Sequence, residues 1–228
     1  MTFADQVINY TLGLKPNWKL PKGIDILFPY SEVECQSIFT TFYKKYYDDS
    51  HHRIILLGIN PGRFGSGITG VPFTDPSTIE KLTGLENSYK KKAELSSQFI
   101  MQMIEAMGGP QQFFGHFYIG SVCPLGFLRD NKNCNYYDDP KLYEALKPVI
   151  VDAITKQIEF GVSTEIAFCI GQGKNYKILQ ELNREHHFFA RIEPLPHPRW
   201  VMQYQKKHLV THIDTYVTKL SEHSDNIL

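Results

Sequence analysis

The sequence predicts an α/β fold, three layers (α/β/α) built around a mainly parallel central sheet of about four strands. Three observations carry that expectation. Short apolar runs alternate with amphipathic stretches at the spacing of strand–helix units. One of these runs, Ile54-Ile55-Leu56-Leu57, is apolar throughout and rich in β-branched residues, as a strand buried on both faces of a parallel sheet must be. The loops after such runs are dense in glycine and proline, and the carboxyl ends of strands are where open α/β sheets bind their ligands. With 228 residues and no linker, repeat or low-complexity tract, the chain reads as a single domain over 1–228.

In chain order, Phe3–Leu14 reads as a short amphipathic helix with Phe3, Val7 and Leu14 on one face, and Pro16 and Pro21 keep the helix from continuing. Ile24–Pro29 is extended and ends in a proline turn. Ser31 and Glu34 have capping-box spacing, and Phe39, Phe42, Tyr43 and Tyr46 predict a core-facing helix to about Tyr47. Asp48-Asp49-Ser50 closes it and feeds the strand at 54–57. The polar stretch 74–92 starts a helix at Asp75-Pro76-Ser77 and ends in Lys90-Lys91-Lys92, a run that usually marks a solvated face and less often a phosphate contact. A helix over Leu95–Met107 stops at Gly108-Gly109-Pro110. His116–Val122 is the next strand. Pro140 opens a helix through Phe160, in which Pro148 predicts a kink or a break. Glu165–Ile170 is the third strand, Asn175–Arg184 a helix, Phe188–Ile192 the fourth strand, and roughly Tyr204–Leu220 the closing amphipathic helix.

The composition excludes several classes. Hydrophobic residues make up 42% of the chain, which is that of a folded protein rather than a disordered one. The 24 Lys and Arg balance the 24 Asp and Glu, so a strongly cationic, non-specific nucleic-acid coat is not expected, although a local basic face is compatible with the balance. No apolar run approaches the length of a membrane span, and the start lacks a basic segment followed by a long apolar one, so an intracellular protein without membrane contact is expected. Cys35, Cys123, Cys134 and Cys169 form no C-x-x-C pair, and inert buried thiols are expected rather than zinc ligands, disulfides or an iron–sulfur cluster.

The chemistry concentrates in Arg53–Phe73. Gly58, Pro61, Gly62, Gly65, Gly67 and Gly70 come after the strand, so the backbone can turn sharply and approach a ligand. Within Gly58–Gly62, Asn60 alone carries both a hydrogen-bond donor and an acceptor on its side chain, and Phe73 can face the same cleft. An amide and a flat ring at one strand end point to a planar, hydrogen-bonding ligand. Two further strand ends offer Ser121 near Cys123-Pro124, and His197 beside Arg199 and Trp200. Taken singly, each has an ordinary explanation: an Asx turn for Asn60, core packing for Phe73, backbone satisfaction for Ser121, a loop histidine at His197. Paired carboxylates, a Cys/His nucleophile pair and a metal cluster are lacking. G-x-x-x-x-G-K-[ST] fails because Phe168 and Asn175 hold two of its positions, and G-x-G-x-x-G with its acidic partner is not met.

Gly58-Ile59-Asn60-Pro61-Gly62 with Thr69-Gly70-Val71-Pro72-Phe73, then Val122-Cys123-Pro124-Leu125, then His197-Pro198-Arg199, resembles the uracil-DNA glycosylase superfamily, nearest its single-strand-selective monofunctional (SMUG-like) branch. The resemblance runs from about Pro29 to the last helix. It implies a monofunctional base-excision repair enzyme that flips a damaged base out of DNA and hydrolyses its bond to deoxyribose, with no cofactor and no metal, acting as a monomer. It further implies that Asn60 holds the water, that a neutral His197 donates to the 2-carbonyl oxygen, and that Gly58, Ile59, Pro61, Gly62, Phe73 and Ser121 form the base pocket. Arg199, Trp200, Val201 and Met202 are expected to form a wedge, with Lys206 and Lys207 following the phosphates; the compartment would be cytoplasmic in a bacterium and nuclear in a eukaryote. Two departures stand out: Ser121 occupies the place where the SMUG-like enzymes carry a base-reading Asn, and H-P-R-W replaces a longer H-P-S-P-R. They leave two alternatives open, excision of hypoxanthine or xanthine and a DNA-binding protein of the same fold without catalysis.

Overall fold

The computed structural model describes residues 1–224. Helix α1 (Phe3–Leu12) opens on a Thr2/Asp5 capping box, and strand β1 (Asp25–Leu27) precedes α2 (Val33–Tyr46). Then come β2 (Arg53–Gly58), the single turn α3 (Ser66–Thr69), α4 (Pro76–Thr83), α5 (Leu95–Ala106), α6 (Pro110–His116) and β3 (Phe117–Ser121). A hairpin of β4 (Gly126–Arg129) and β5 (Lys132–Cys134) leads to α7 (Pro140–Glu159), β6 (Val162–Ile170), α8 (Lys174–His186), β7 (Arg191–Leu195), α9 (Pro198–Tyr204) and α10 (Leu209–Ser224).

The main sheet has four strands in the order β3-β2-β6-β7, all parallel, between layers of helices. Strand β2 is buried along its whole length, as its unbroken apolar run requires. Its first residue, Arg53, is a fully buried cation. The guanidinium lies between the rings of Phe3 and Tyr47 (5.0 and 4.8 Å to the ring centroids), donates to both oxygens of Asp49 (2.8 and 2.7 Å) and to the Phe114 carbonyl (2.8 Å), so its charge and donors are met without water. A second, antiparallel sheet of order β1-β4-β5 stands apart from the first.

Several local expectations are revised. Ser31 and Glu34 do not form a capping box: Ser31 Oγ donates to the Phe28 carbonyl, Glu34 accepts from Ser88, and α2 starts after Glu32 without a side-chain cap. Pro148 does not break α7; it sits on the solvent face, where its missing N–H and its ring are tolerated best. The fourth strand lies at Arg191–Leu195 rather than 188–192, because Phe188 and Phe189 are core plugs and the pairing with Ile166–Ile170 sets the register. Pro194 fits there because β7 is an edge strand. The closing helix, α10, starts at Leu209 rather than Tyr204, and a separate helix, α9, precedes it across a tight turn at Lys206–His208. The four cysteines are buried free thiols.

Candidate active site

The chain leaves β2 toward β3 on one side and β6 toward β7 on the other, so the carboxyl ends of β2 and β6 flank a topological switch point. A cleft of ≈ 440 Å³ opens there. Gly58, Ile59, Asn60, Pro61, Gly62, Phe73, Ser121, His197, Arg199 and Trp200 all line it, so the sequence-predicted groups from three strand ends share one hollow.

Asn60 is held in one orientation. Its Oδ1 accepts from the Tyr136 backbone N–H (3.1 Å), and its Nδ2 donates to the carbonyls of Cys134 (3.4 Å) and Pro61 (3.3 Å). A flipped amide would set donor against donor, so Oδ1 keeps one lone pair for a ligand. Phe73 reaches the cleft from a backbone at φ +54°, a conformation braced by the Thr74 hydroxyl, which donates to the Val71 carbonyl at 2.8 Å. Its ring lies where a side chain at residue 58 would be: a Cβ on Gly58 would stand 2.9 Å from Phe73 Cε2, which is why that position needs glycine. The Ser121 carbonyl accepts from Gln157 Nε2 (3.2 Å), whereas its hydroxyl has no hydrogen-bond partner among the described residues.

His197 is the N-cap of α9, with Pro198 at the first helical position. Its Nδ1 accepts the Arg199 backbone N–H at 3.2 Å, which places the proton of the neutral ring on Nε2. Burial, aided by the positive charge of Arg199, lowers its pKa to about 4, so near neutral pH the ring is an uncharged N–H donor. The Phe73 and His197 ring centroids are 6.3 Å apart.

The wedge expectation changes. Val201 is fully buried and Met202 is 7% exposed, because Arg199–Met202 belong to a helix and these two face the core. Trp200 (45% exposed) and Tyr204 (70%) lie one turn apart on the outer face and line the cleft mouth, while Lys206 and Lys207 are exposed just beyond it. On the facing rim stands Phe64, with Lys92 Nζ 3.7 Å from its ring centroid and Arg63 at 4.3 Å; Lys91 is instead paired with Glu80. Tyr204, Phe64, Asn133 and Asn135 were not anticipated. Tyr204 had a signal, an aromatic four residues after Trp200; Asn133 and Asn135 reach the cleft only through the hairpin. That hairpin turns through Asp130 and Asn131, both at positive φ as a two-residue turn requires, and Asn133 Oδ1 accepts from the Arg63 N–H at 3.0 Å. Leu27 of β1 backs the glycine loop: its Cδ1 is 3.0 Å from where a Cβ would stand on either Gly67 or Gly126.

Fold and cleft together define a class, three-layer α/β proteins with a ligand site at the carboxyl edge of a four-stranded parallel sheet. Within that class the chain belongs to the uracil DNA glycosylase superfamily, whose sequence profile matches residues 44–221. The solved structure of Pedobacter heparinus SMUG2 superimposes with a TM-score of 0.94 at 44% identity, covering 99% of each chain. The single-strand selective monofunctional uracil-DNA glycosylases of Rattus norvegicus and Bos taurus are 28% identical over 125 residues and 27% over 126. Those alignments take in 46% and 47% of this chain and 45% and 46% of the relatives, so the chain spans about half the length of the curated relatives it matches.

Proposed function

We propose that this chain is a monofunctional DNA glycosylase that draws a uracil, or a related deaminated base, out of DNA and hydrolyses its N-glycosidic bond. The observation that carries this is the pairing, in one cleft, of an amide held with its oxygen toward Tyr136 N–H and a neutral imidazole with its proton on Nε2. Cleavage leaves negative charge on the departing base and an oxocarbenium-like sugar. A fixed donor at the 2-carbonyl oxygen lowers that barrier, and one such donor is worth about 3 kcal/mol, roughly a hundredfold in rate. His197 Nε2–H is that donor, Asn60 Oδ1 holds the water that captures the sugar, and Phe73 stacks on the extruded base, worth roughly 1–3 kcal/mol. Among the described residues no lysine lines the cleft, which supports hydrolysis without a Schiff-base intermediate.

At the mouth, Arg199 and Trp200 enter the gap left by the base, with Tyr204 beside them and Lys206 and Lys207 on the phosphates. Acting on DNA implies work inside the cell, and the groups given roles here all come from one chain, which supports a monomer. The test is an oligonucleotide carrying one uracil, single-stranded or opposite A or G. Alkali-labile sites, with no nicking before alkali, are expected from the parent, and only at a strongly reduced, residual rate from Asn60→Ala or His197→Ala. No product from any of the three substrates refutes uracil excision, and DNA binding that persists without turnover would favour a binding protein. The unpartnered Ser121 hydroxyl motivates a second substrate class, hypoxanthine or xanthine, tested with the same oligonucleotide; Ser121→Asn should shift preference toward uracil.

A further inference from the structure

A buried chain of hydrogen bonds connects the segment that orients Asn60 to the strand end that carries His197. Tyr136, whose backbone N–H faces Asn60 Oδ1, is fully buried, and its phenol donates to Asn175 Oδ1 at 2.7 Å. Asn175, at the second position of α8 and 2% exposed, donates through Nδ2 to Cys169 Sγ (3.3 Å). The thiol in turn donates to the Gly171 carbonyl (3.4 Å), and the Gly171 N–H donates to the Leu195 carbonyl (2.8 Å), two residues before His197. Each donor in this series meets one acceptor, so reversing any member leaves a polar atom unsatisfied in the core. Burial holds the Cys169 thiol at a pKa of about 12 and pushes the Tyr136 phenol well above its usual range, so both keep the protons the series requires.

We propose that Tyr136 and Asn175 are positioning residues for base release: through the Tyr136 backbone they set the orientation of the Asn60 amide and register it against the His197 loop. The inference rests on the glycosylase function proposed above. Nothing in this series touches the base. Its effect is geometric, since the Tyr136 N–H stays aimed at Asn60 Oδ1 only while the phenol is anchored at the far side of the sheet edge.

The test uses the full chain and a uracil oligonucleotide under single-turnover conditions. Tyr136→Phe keeps the ring and the backbone N–H and removes one oxygen. Base release should slow on the order of tenfold, with substrate affinity changed less than about twofold. Tyr46→Phe removes another buried phenol, bonded to the Leu82 carbonyl at 2.9 Å outside the cleft, and should leave the rate unchanged. In an Asn60→Ala background Tyr136→Phe should add no further loss, because the group it orients is gone. Independently of turnover, amide hydrogen exchange at residue 136 should accelerate in Tyr136→Phe and in Asn175→Ala. An unchanged rate in Tyr136→Phe, or an equal loss with and without Asn60, overturns the proposal. If the parent releases no base, the proposed function fails on its own, and exchange at residue 136 still decides whether the tie exists: acceleration supports it and an unchanged rate refutes it.

Discussion

Acidification converts His197 to its cation, and the pH at which this happens tests how the donor is built. The ring's pKa is lowered from the ordinary 6.5 to about 4, so protonating it in place costs about 3–4 kcal/mol more than in water at roughly 1.4 kcal/mol per tenfold change in the equilibrium. The cation would still carry a proton on Nε2. It would also carry one on Nδ1, which now faces the Arg199 N–H across 3.2 Å; donor would meet donor, the cap would open and the ring would turn away from its aim. Single-turnover base release is therefore expected to be flat from about pH 8 to about 5 and to fall about tenfold per unit below about 4, with the imidazole signals of His197 titrating in step. Stability depends on the same group. The unfolded chain takes up the proton first, so the contribution of the neutral ring is complete above about pH 6.5 and is lost as the pH falls toward 4. A break in rate near 6.5 would refute the role given to burial, and a rate that rises on acidification would show that the cation is the working form.

Gly58→Ala would place a Cβ 2.9 Å from the Phe73 ring; because the positive φ of Phe73 leaves little room to retreat, kcat/KM should fall about tenfold through lost stacking, with the melting temperature little changed. Trp200→Ala should weaken DNA binding by roughly 1–3 kcal/mol without lowering stability, whereas Val201→Ala, one residue on but fully buried, should lower stability by about 1–3 kcal/mol and leave binding alone, as read by titration and urea melts. Asp49→Ala strips the buried Arg53 of its counter-charge and should cost about 3–5 kcal/mol in urea unfolding; a cost below about 1 kcal/mol would mean that the Phe3 and Tyr47 rings and the carbonyls suffice to hold the cation.

The parallel sheet and its ligand edge were legible because burial on both faces leaves a mark that polar alternation cannot imitate, and because Gly58 and its neighbours are demanded by close approach. The triad of Asn60, Phe73 and His197 was legible for the same reason: each comes after a strand whose end had to lie at one edge. The hairpin was not. Its strands have four and three residues, their charged ends Arg129 and Lys132 read as loop, and Asp130-Asn131 is a weaker turn signal than Asn-Gly. With the hairpin went Asn133, Asn135 and the partner of Asn60. The wedge differs because H-P-R-W reads as an extended loop when only its prolines are weighed; Pro198 after a residue able to cap is a helix start, and the helix turns Val201 and Met202 inward. The fourth strand slipped because Phe188 and Phe189 are as apolar as a strand, and only pairing with β6 distinguishes plugs from ladder.

Strand β1 lies outside the stretch that matches the superfamily profile and contributes no side chain to the cleft, yet Leu27 is wedged against the positions where Gly67 and Gly126 lack side chains. A fragment trimmed to begin at residue 44 would keep every residue that faces a substrate and lose the strut behind them. For this chain the span that the superfamily profile matches is therefore shorter than the unit that shapes the cleft, and a minimal version that keeps that shape must start upstream of Asp25.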